Sequence, residues 1–209
     1  IQVDVVDEGQ PRWLAFLNGE HDYIRPLPEE FANTALPGGK LAPNLARKGL
    51  YVTPDEIAYT TFTTFNTAPA IDGKPNALGG FAPERVALRR AIAMGVRIDE
   101  QISILDKGQS VRAHTPLPPA VSGHNAAALS PTLEYSPAKA KALLDLFGYV
   151  DRDGDGYREM PDGSPLSFEH ASVPVLRERQ RNELWKKSMD AIGIRVTFGK
   201  VEKLPELRK

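Results

Sequence analysis

Between Leu166 and Phe198 the sequence writes a strand, a long helix and a second strand with short joints between them. Leu166, Phe168 and His170 alternate with polar neighbours, the period of a strand buried on one face. Pro174–Ile192 then follows the helical period, with Leu176, Leu184, Trp185 and Met189 on or near one side. Gly193 stands where a left-handed cap ends a helix, and Ile194, Val196 and Phe198 alternate again. A helix of this length between two strands predicts a parallel pair joined by a right-handed crossover. This end of the chain is therefore α/β.

Upstream, Ser136-Pro137 opens a helix with a capping hydroxyl and a proline at its first position. Ala140, Leu143, Leu144 and Phe147 form its apolar stripe, and Gly148 closes it. Another helix starts at Pro83, with Val86, Ala87, Arg90, Ala91 and Met94 on one face. A shorter one starts at Asp99 and stops at Gly108. The first part of the chain reads as a strand at Ile1–Val6, a short helix around Trp13 ended by Gly19, and a strand at His21–Ile24. Residues 25–49 and 69–83 are loops punctuated by Pro and Gly, the former with helical turns near Glu29–Asn33 and Asn44–Lys48. Ile57–Asn66 (IAYTTFTTFN) is β-prone and suits a strand passing from one sheet to another. Residues 110–135 carry no sustained period, and so long a loop is often functional.

Composition narrows the chemistry. The chain has 209 residues, a formal net charge of −1 and no cysteine. These values give no field that recruits nucleic acid, and they remove disulfides, thiolate catalysis and Cys-based zinc sites. No apolar run approaches the roughly 20 residues that span a bilayer. His21, His114, His124 and His170 lack metal-binding spacing, and His170 reads as a satisfied, half-buried strand residue. No nucleophile elbow or phosphate-binding glycine motif is present, so the chain reads as non-catalytic. Arg177, Arg179 and Arg181 read as a solvated helix face.

The loop Tyr149–Pro165 leaves two readings open. Asp151, Asp153, Asp155 and Gly156 match the first half of a calcium loop, with Asp162 at position 12 and Glu159 at position 9. The following residues lead into a strand rather than the exiting helix of an EF-hand. Asp-Gly-Asp-Gly is also good tight-turn chemistry, because Asp caps its own backbone and Gly takes positive φ. Tyr59, Phe62 and Phe65 read first as core-facing strand residues; the second reading places some of Tyr59, Phe65 and Asn66 at the edge of a ligand cleft.

Several segments in order resemble the extracellular solute-binding proteins of family 5, which serve oligopeptide, dipeptide and nickel ABC transporters. They are Gly19-Glu20-His21-Asp22, Phe65-Asn66, Arg85–Ala93 with Arg97-Ile98-Asp99, and the proline loop Thr115–Pro119. Tyr135–Leu144 through Gly148-Tyr149, the Asp-rich loop and Ile192-Gly193-Ile194 complete the set. The chain departs from the pattern in having Glu100 after Ile98-Asp99, and His114 and Val121 where peptide binders often carry Tyr.

The resemblance implies a type II periplasmic-binding-protein-like fold with mixed sheets and two lobes that close over a solute. Residues 1–59 would be the end of the first lobe and the hinge strand, and 60–209 most of the second. The chain would be a fragment of an envelope protein whose secretion signal has been removed. The whole protein is expected to be a periplasmic or otherwise extracytoplasmic monomer. Its partners would be a peptide or other small solute and the membrane permease. Tyr59, Phe65, Asn66, His114 and Thr115 are the expected cleft residues. No cofactor is expected beyond the calcium that Asp151, Asp153, Asp155 and Asp162 would hold. The alternative function is a calcium-stabilised structural module on that loop.

Overall fold

A computed structural model describes residues 1–53, 57–119, 121–128 and 134–201. The chain divides into two compact units. The first comprises Ile1–Ile57 with Asp106–Ser110, the second Ala58–Leu105 with Val111–Lys209.

The first unit is built from short helices: α1 (Gly9–Leu17), α2 (Ala32–Ala35) and α3 (Pro43–Ala46), with 3-10 turns at Glu29–Phe31 and Pro37–Gly39. Trp13 anchors it, stacked on Phe31 at 5.6 Å and packed with Ala35, Ala42 and Leu45. Burying an indole of this size contributes on the order of 2–3 kcal/mol. The strands expected at Ile1–Val6 and His21–Ile24 do not form. Ile1, Val3 and Val5 are exposed, and no described segment pairs with them. An alternating pattern becomes a strand only when another strand accepts its backbone hydrogen bonds.

The second unit holds the larger core. Its helices are α4 (Pro83–Gly95), α5 (Ile98–Leu105), α6 (Pro137–Leu146) and α7 (Leu176–Asp190). A two-residue hairpin joins β1 (Ala70–Ile71) to β2 (Lys74–Pro75), inside what reads from sequence as loop. β3 (Ser167–Ser172) and β4 (Arg195–Lys200) pair in parallel, Phe168 against Val196 and His170 against Phe198. The expected strand–helix–strand unit is therefore present. The expected strand Ile57–Asn66 is not: its described residues are extended but join no sheet, and Tyr59 and Phe62 are each 73% exposed.

α4 buries Ala87, Leu88, Ala91, Ile92 and Gly95, one position round from the predicted stripe, so Arg90 lies exposed. The turn is set by what lies opposite. Arg85 donates to the Ala77 carbonyl at 2.7 Å, and Arg89 donates to those of Leu78 and Gly80. Those arginines face the preceding loop, which leaves the neighbouring stripe for the core. The loop is tight: a Cβ on Gly79 would stand 2.1 Å from the Ala68 carbonyl oxygen. Ser136 caps α6 as expected, and its own N–H donates to the Met94 carbonyl at 2.9 Å, tying α6 to the end of α4. α7 buries Trp185, Ser188 and Met189, while Leu176 is exposed.

Candidate functional site

The loop after α6 is a self-bonded structure. Asp151 accepts from the N–H groups of Gly154 (2.7 Å) and Gly156 (3.0 Å), Asp153 from Asp155, and Asp155 from Tyr157. The Glu159 carboxylate accepts from the Arg152 N–H at 2.7 Å. Each is the side-chain-to-backbone bond that makes Asp and Glu good turn residues. One oxygen from each of Asp151, Asp153, Asp155 and Glu159 lies within 4.8 Å of the others. Asp162, expected as a fourth metal ligand, is outside that group. Its carboxylate accepts from both the N–H and the hydroxyl of Ser164, which hold it below the usual carboxylate range. Glu159 takes the place that spacing assigned to Asp162, because Glu159 and Pro165 pair across a turn at Met160–Ser164 and Asp162 lies within that turn.

Two arginines fix this loop to the helices. Arg158 has a side chain only 13% exposed. Its guanidinium donates to the Ile192 carbonyl at 3.0 Å, the Tyr149 carbonyl at 2.5 Å and the Asp145 carboxylate at 2.5 Å. Its own N–H donates to the Gly193 carbonyl at 2.8 Å. It thus binds the C-terminal ends of α6 and α7, where unpaired carbonyls favour a cation. Gly193 takes φ +73°, a left-handed conformation that other residues rarely adopt, and a Cβ there would stand 3.4 Å from the Arg158 side chain. Arg152 reaches back to the carbonyls of Gly148, Met160 and Pro161. Arg195 pairs with Asp155 at 2.6 Å and lies over the Tyr157 ring. Tyr149 is fully buried, and its hydroxyl donates to the Glu84 carbonyl. Neither Arg158 nor Arg152 carries a local sequence signature. Their partners are carbonyls that any sequence would supply.

The expected cleft residues are less organised. Phe65 packs against the core of the second unit, and Tyr59 is exposed. Asn66 turns inward on its own segment. Its side chain accepts from the Ala68 N–H at 2.9 Å, and its carbonyl accepts from Asn76 at 2.8 Å. The Thr115 hydroxyl donates to the Leu117 carbonyl at 2.8 Å, and His114 is exposed. Among the described residues, no recorded hydrogen bond or ring contact joins Phe65 or Asn66 to His114 or Thr115. Two open hollows of about 290 and 470 Å³ lie beside Arg158 and beside Arg85, and none of the five candidates lines either.

Two further readings change. Of the three arginines read as a solvated face, Arg177 and Arg181 are half-buried and only Arg179 is exposed; Arg181 pairs with Glu178. The 3.6-residue period places Arg177 and Arg181 on one face and Arg179 off it. His170 is half-buried as expected but not satisfied, since its Nδ1 is buried without a hydrogen-bond partner.

The family description "Bacterial extracellular solute-binding proteins, family 5 Middle" matches residues 1–207, and the chain belongs to that family. Solved structures agree on the fold. NikA from Brucella suis, in complex with Fe(III)-EDTA, superposes with a TM-score of 0.68 at 23% identity, covering 99% of this chain and 38% of that one. The oligopeptide-binding protein AppA from Bacillus subtilis, in complex with a nonapeptide, gives 0.54 at 24% identity over 58% of this chain and 24% of that one. A Thermotoga maritima periplasmic oligopeptide-binding protein gives 0.51 at 18% identity, covering 90% and 38%. The fold is thus that of the type II periplasmic binding proteins, and the chain spans only a quarter to two fifths of these relatives. No curated protein sequence matches it. The family and these neighbours are binding proteins. Among the described residues, no helix is long and apolar enough to cross a membrane.

Proposed function

We propose that the chain is part of the solute receptor of an ABC-type importer, gripping a peptide-like or other small solute between two lobes. The family match over residues 1–207 carries this reading. In it, residues 1–59 form the end of the first lobe with the hinge strand, and residues 60–209 form most of the second. The division between Ile57 and Ala58 supports that assignment. Tyr59, Phe65, Asn66, His114 and Thr115 contribute the cleft edge of the second lobe. The receptor works outside the cytoplasm as a monomer. A solute that contacts both lobes better when closed shifts the population of the closed form, which is presented to the permease.

The half-cleft of one lobe offers a solute few partners, so the complete protein should show a solute-dependent thermal shift and this chain little or none. Native mass spectrometry of the complete protein would identify the solute by what co-purifies. Saturable, tight binding by this chain alone would sink the two-lobe reading.

A second reading, the calcium-stabilised module, has one observation behind it, the group of Asp151, Asp153, Asp155 and Glu159. The same carboxylates already accept N–H donors of the loop, so the turn is satisfied without an ion.

A further inference from the structure

We infer that Asp72-Gly73, at the tip of the β1–β2 hairpin, is the pair in this chain where aspartate isomerises to isoaspartate through a succinimide ring. The sequence holds four Asp-Gly pairs: Asp72-Gly73, Asp153-Gly154, Asp155-Gly156 and Asp162-Gly163. In each, the missing side chain of glycine lets its backbone nitrogen approach the preceding carboxyl. Ring closure has two requirements. The glycine nitrogen must be free to attack, and the aspartate carboxyl must be free to turn towards it.

Three pairs fail both. The N–H of Gly154 donates to the Asp151 carboxylate at 2.7 Å, that of Gly156 to the same carboxylate at 3.0 Å, and that of Gly163 to the Met160 carbonyl at 2.8 Å. Their aspartates are also occupied. Asp153 accepts from the Asp155 N–H, Asp155 from the Tyr157 N–H and from Arg195, and Asp162 from the N–H and hydroxyl of Ser164. The Ser164 bonds hold Asp162 below the usual carboxylate range, which depletes the protonated form that cyclises. Asn18-Gly19 could close a similar ring with loss of ammonia, and it is held in the same way. The Gly19 N–H donates to the Phe16 carbonyl at 3.1 Å, and the Asn18 amide donates to Glu20 at 3.3 Å.

Asp72 meets both requirements. It and Gly73 are exposed, at φ +49° and +74°, the left-handed pair that closes a two-residue hairpin turn. Among the described residues, no hydrogen bond engages the Asp72 carboxylate or the Gly73 N–H. A Cβ built on Gly73 meets nothing within 4 Å, so the ring has room to form.

The step needs no reagent but water. The Gly73 nitrogen attacks Cγ of Asp72, the N–Cγ bond forms, and the carboxyl oxygen leaves with the amide proton as water. Water then opens the ring at one of its two carbonyls. Opening at Cγ restores aspartate. Opening at the main-chain carbonyl leaves the chain running through Cγ, with a free α-carboxylate. The main chain is then one atom longer, and the turn that sets Ala70 against Pro75 and Ile71 against Lys74 no longer fits its register.

The test incubates the folded chain in mildly acidic buffer and follows all four pairs by peptide mapping with electron-transfer fragmentation, which separates isoaspartyl from aspartyl peptides of equal mass. Asp72 should convert about tenfold or more faster than Asp153, Asp155 and Asp162, because each of those must first break two hydrogen bonds. In denaturant the four rates should converge, since the fold alone separates them. Asp72→Glu, which would need a six-membered ring, should silence this position and leave the other three rates unchanged. Equal folded-state rates at the four positions, or faster conversion at any of Asp153, Asp155 and Asp162, overturns the proposal. A lead for Asp72 that persists undiminished in denaturant overturns it as well.

Discussion

Two loops of the second unit share a composition and differ in what holds them. The loop from Tyr149 to Pro165 and the loop from Val111 to Ala128 are both dense in turn residues. In the first, five carboxylates accept backbone N–H groups, and Arg152 and Arg158 donate to six main-chain carbonyls in all, counting the N–H of Arg158. In the second, the bonds among the described residues are short-range: Thr115 and His124 bond the Leu117 carbonyl, and the Ala127 N–H donates to the Asn125 side chain. The Arg112–Asp99 pair at 3.1 Å ties the start of that loop to α5. The lesson is that turn chemistry sets the local bends, while a partly buried cation on helix carbonyls decides whether a loop becomes part of the core.

That contrast can be broken by experiment, beginning with Arg158→Ala. Removing the guanidinium leaves the carbonyls of Tyr149 and Ile192 and the Asp145 carboxylate without their donor. Urea unfolding should register a loss of about 2–3 kcal/mol. A loss below about 1 kcal/mol would show that the Asp turns alone hold the loop. Asp151→Ala removes one carboxylate that serves two N–H groups and should cost about 1 kcal/mol in the same assay. His114→Ala should change stability by less than about 0.5 kcal/mol while weakening solute retention by the complete protein, measured by thermal shift. A stability loss as large as that of Arg158→Ala would place His114 in the core rather than the cleft. Smallest of all, excess chelator or millimolar calcium should leave the melting temperature where it is. A rise with calcium would turn the group of Asp151, Asp153, Asp155 and Glu159 into a metal site.

Much of the second unit was legible because its signals are local. Ser136-Pro137, Gly148 and Gly193 mark helix ends whatever surrounds them, and α6, α7, β3 and β4 fall where the periods place them. The failures share one cause. Ile1–Val6 and Ile57–Asn66 have the composition of strands, but a strand exists only through a partner, and the described chain supplies none. The α4 stripe was misplaced by one position because Arg85 and Arg89 turn towards loop carbonyls, which no period reveals. Glu159 rather than Asp162 joins the carboxylate group because Asp162 lies in the turn across which Glu159 and Pro165 pair.

By itself, then, the sequence determined the helices, their caps, the parallel strand pair and the family, all of which are written in short-range spacing and in the order of motifs. Tertiary structure alone decided that Arg158 joins two helix ends, that Arg177 and Arg181 are half-buried, and that the half-buried His170 has one nitrogen without a hydrogen-bond partner. These outcomes depend on which carbonyls, rings and charges come within a few ångströms across long stretches of chain. Neither residue type nor spacing encodes that distance.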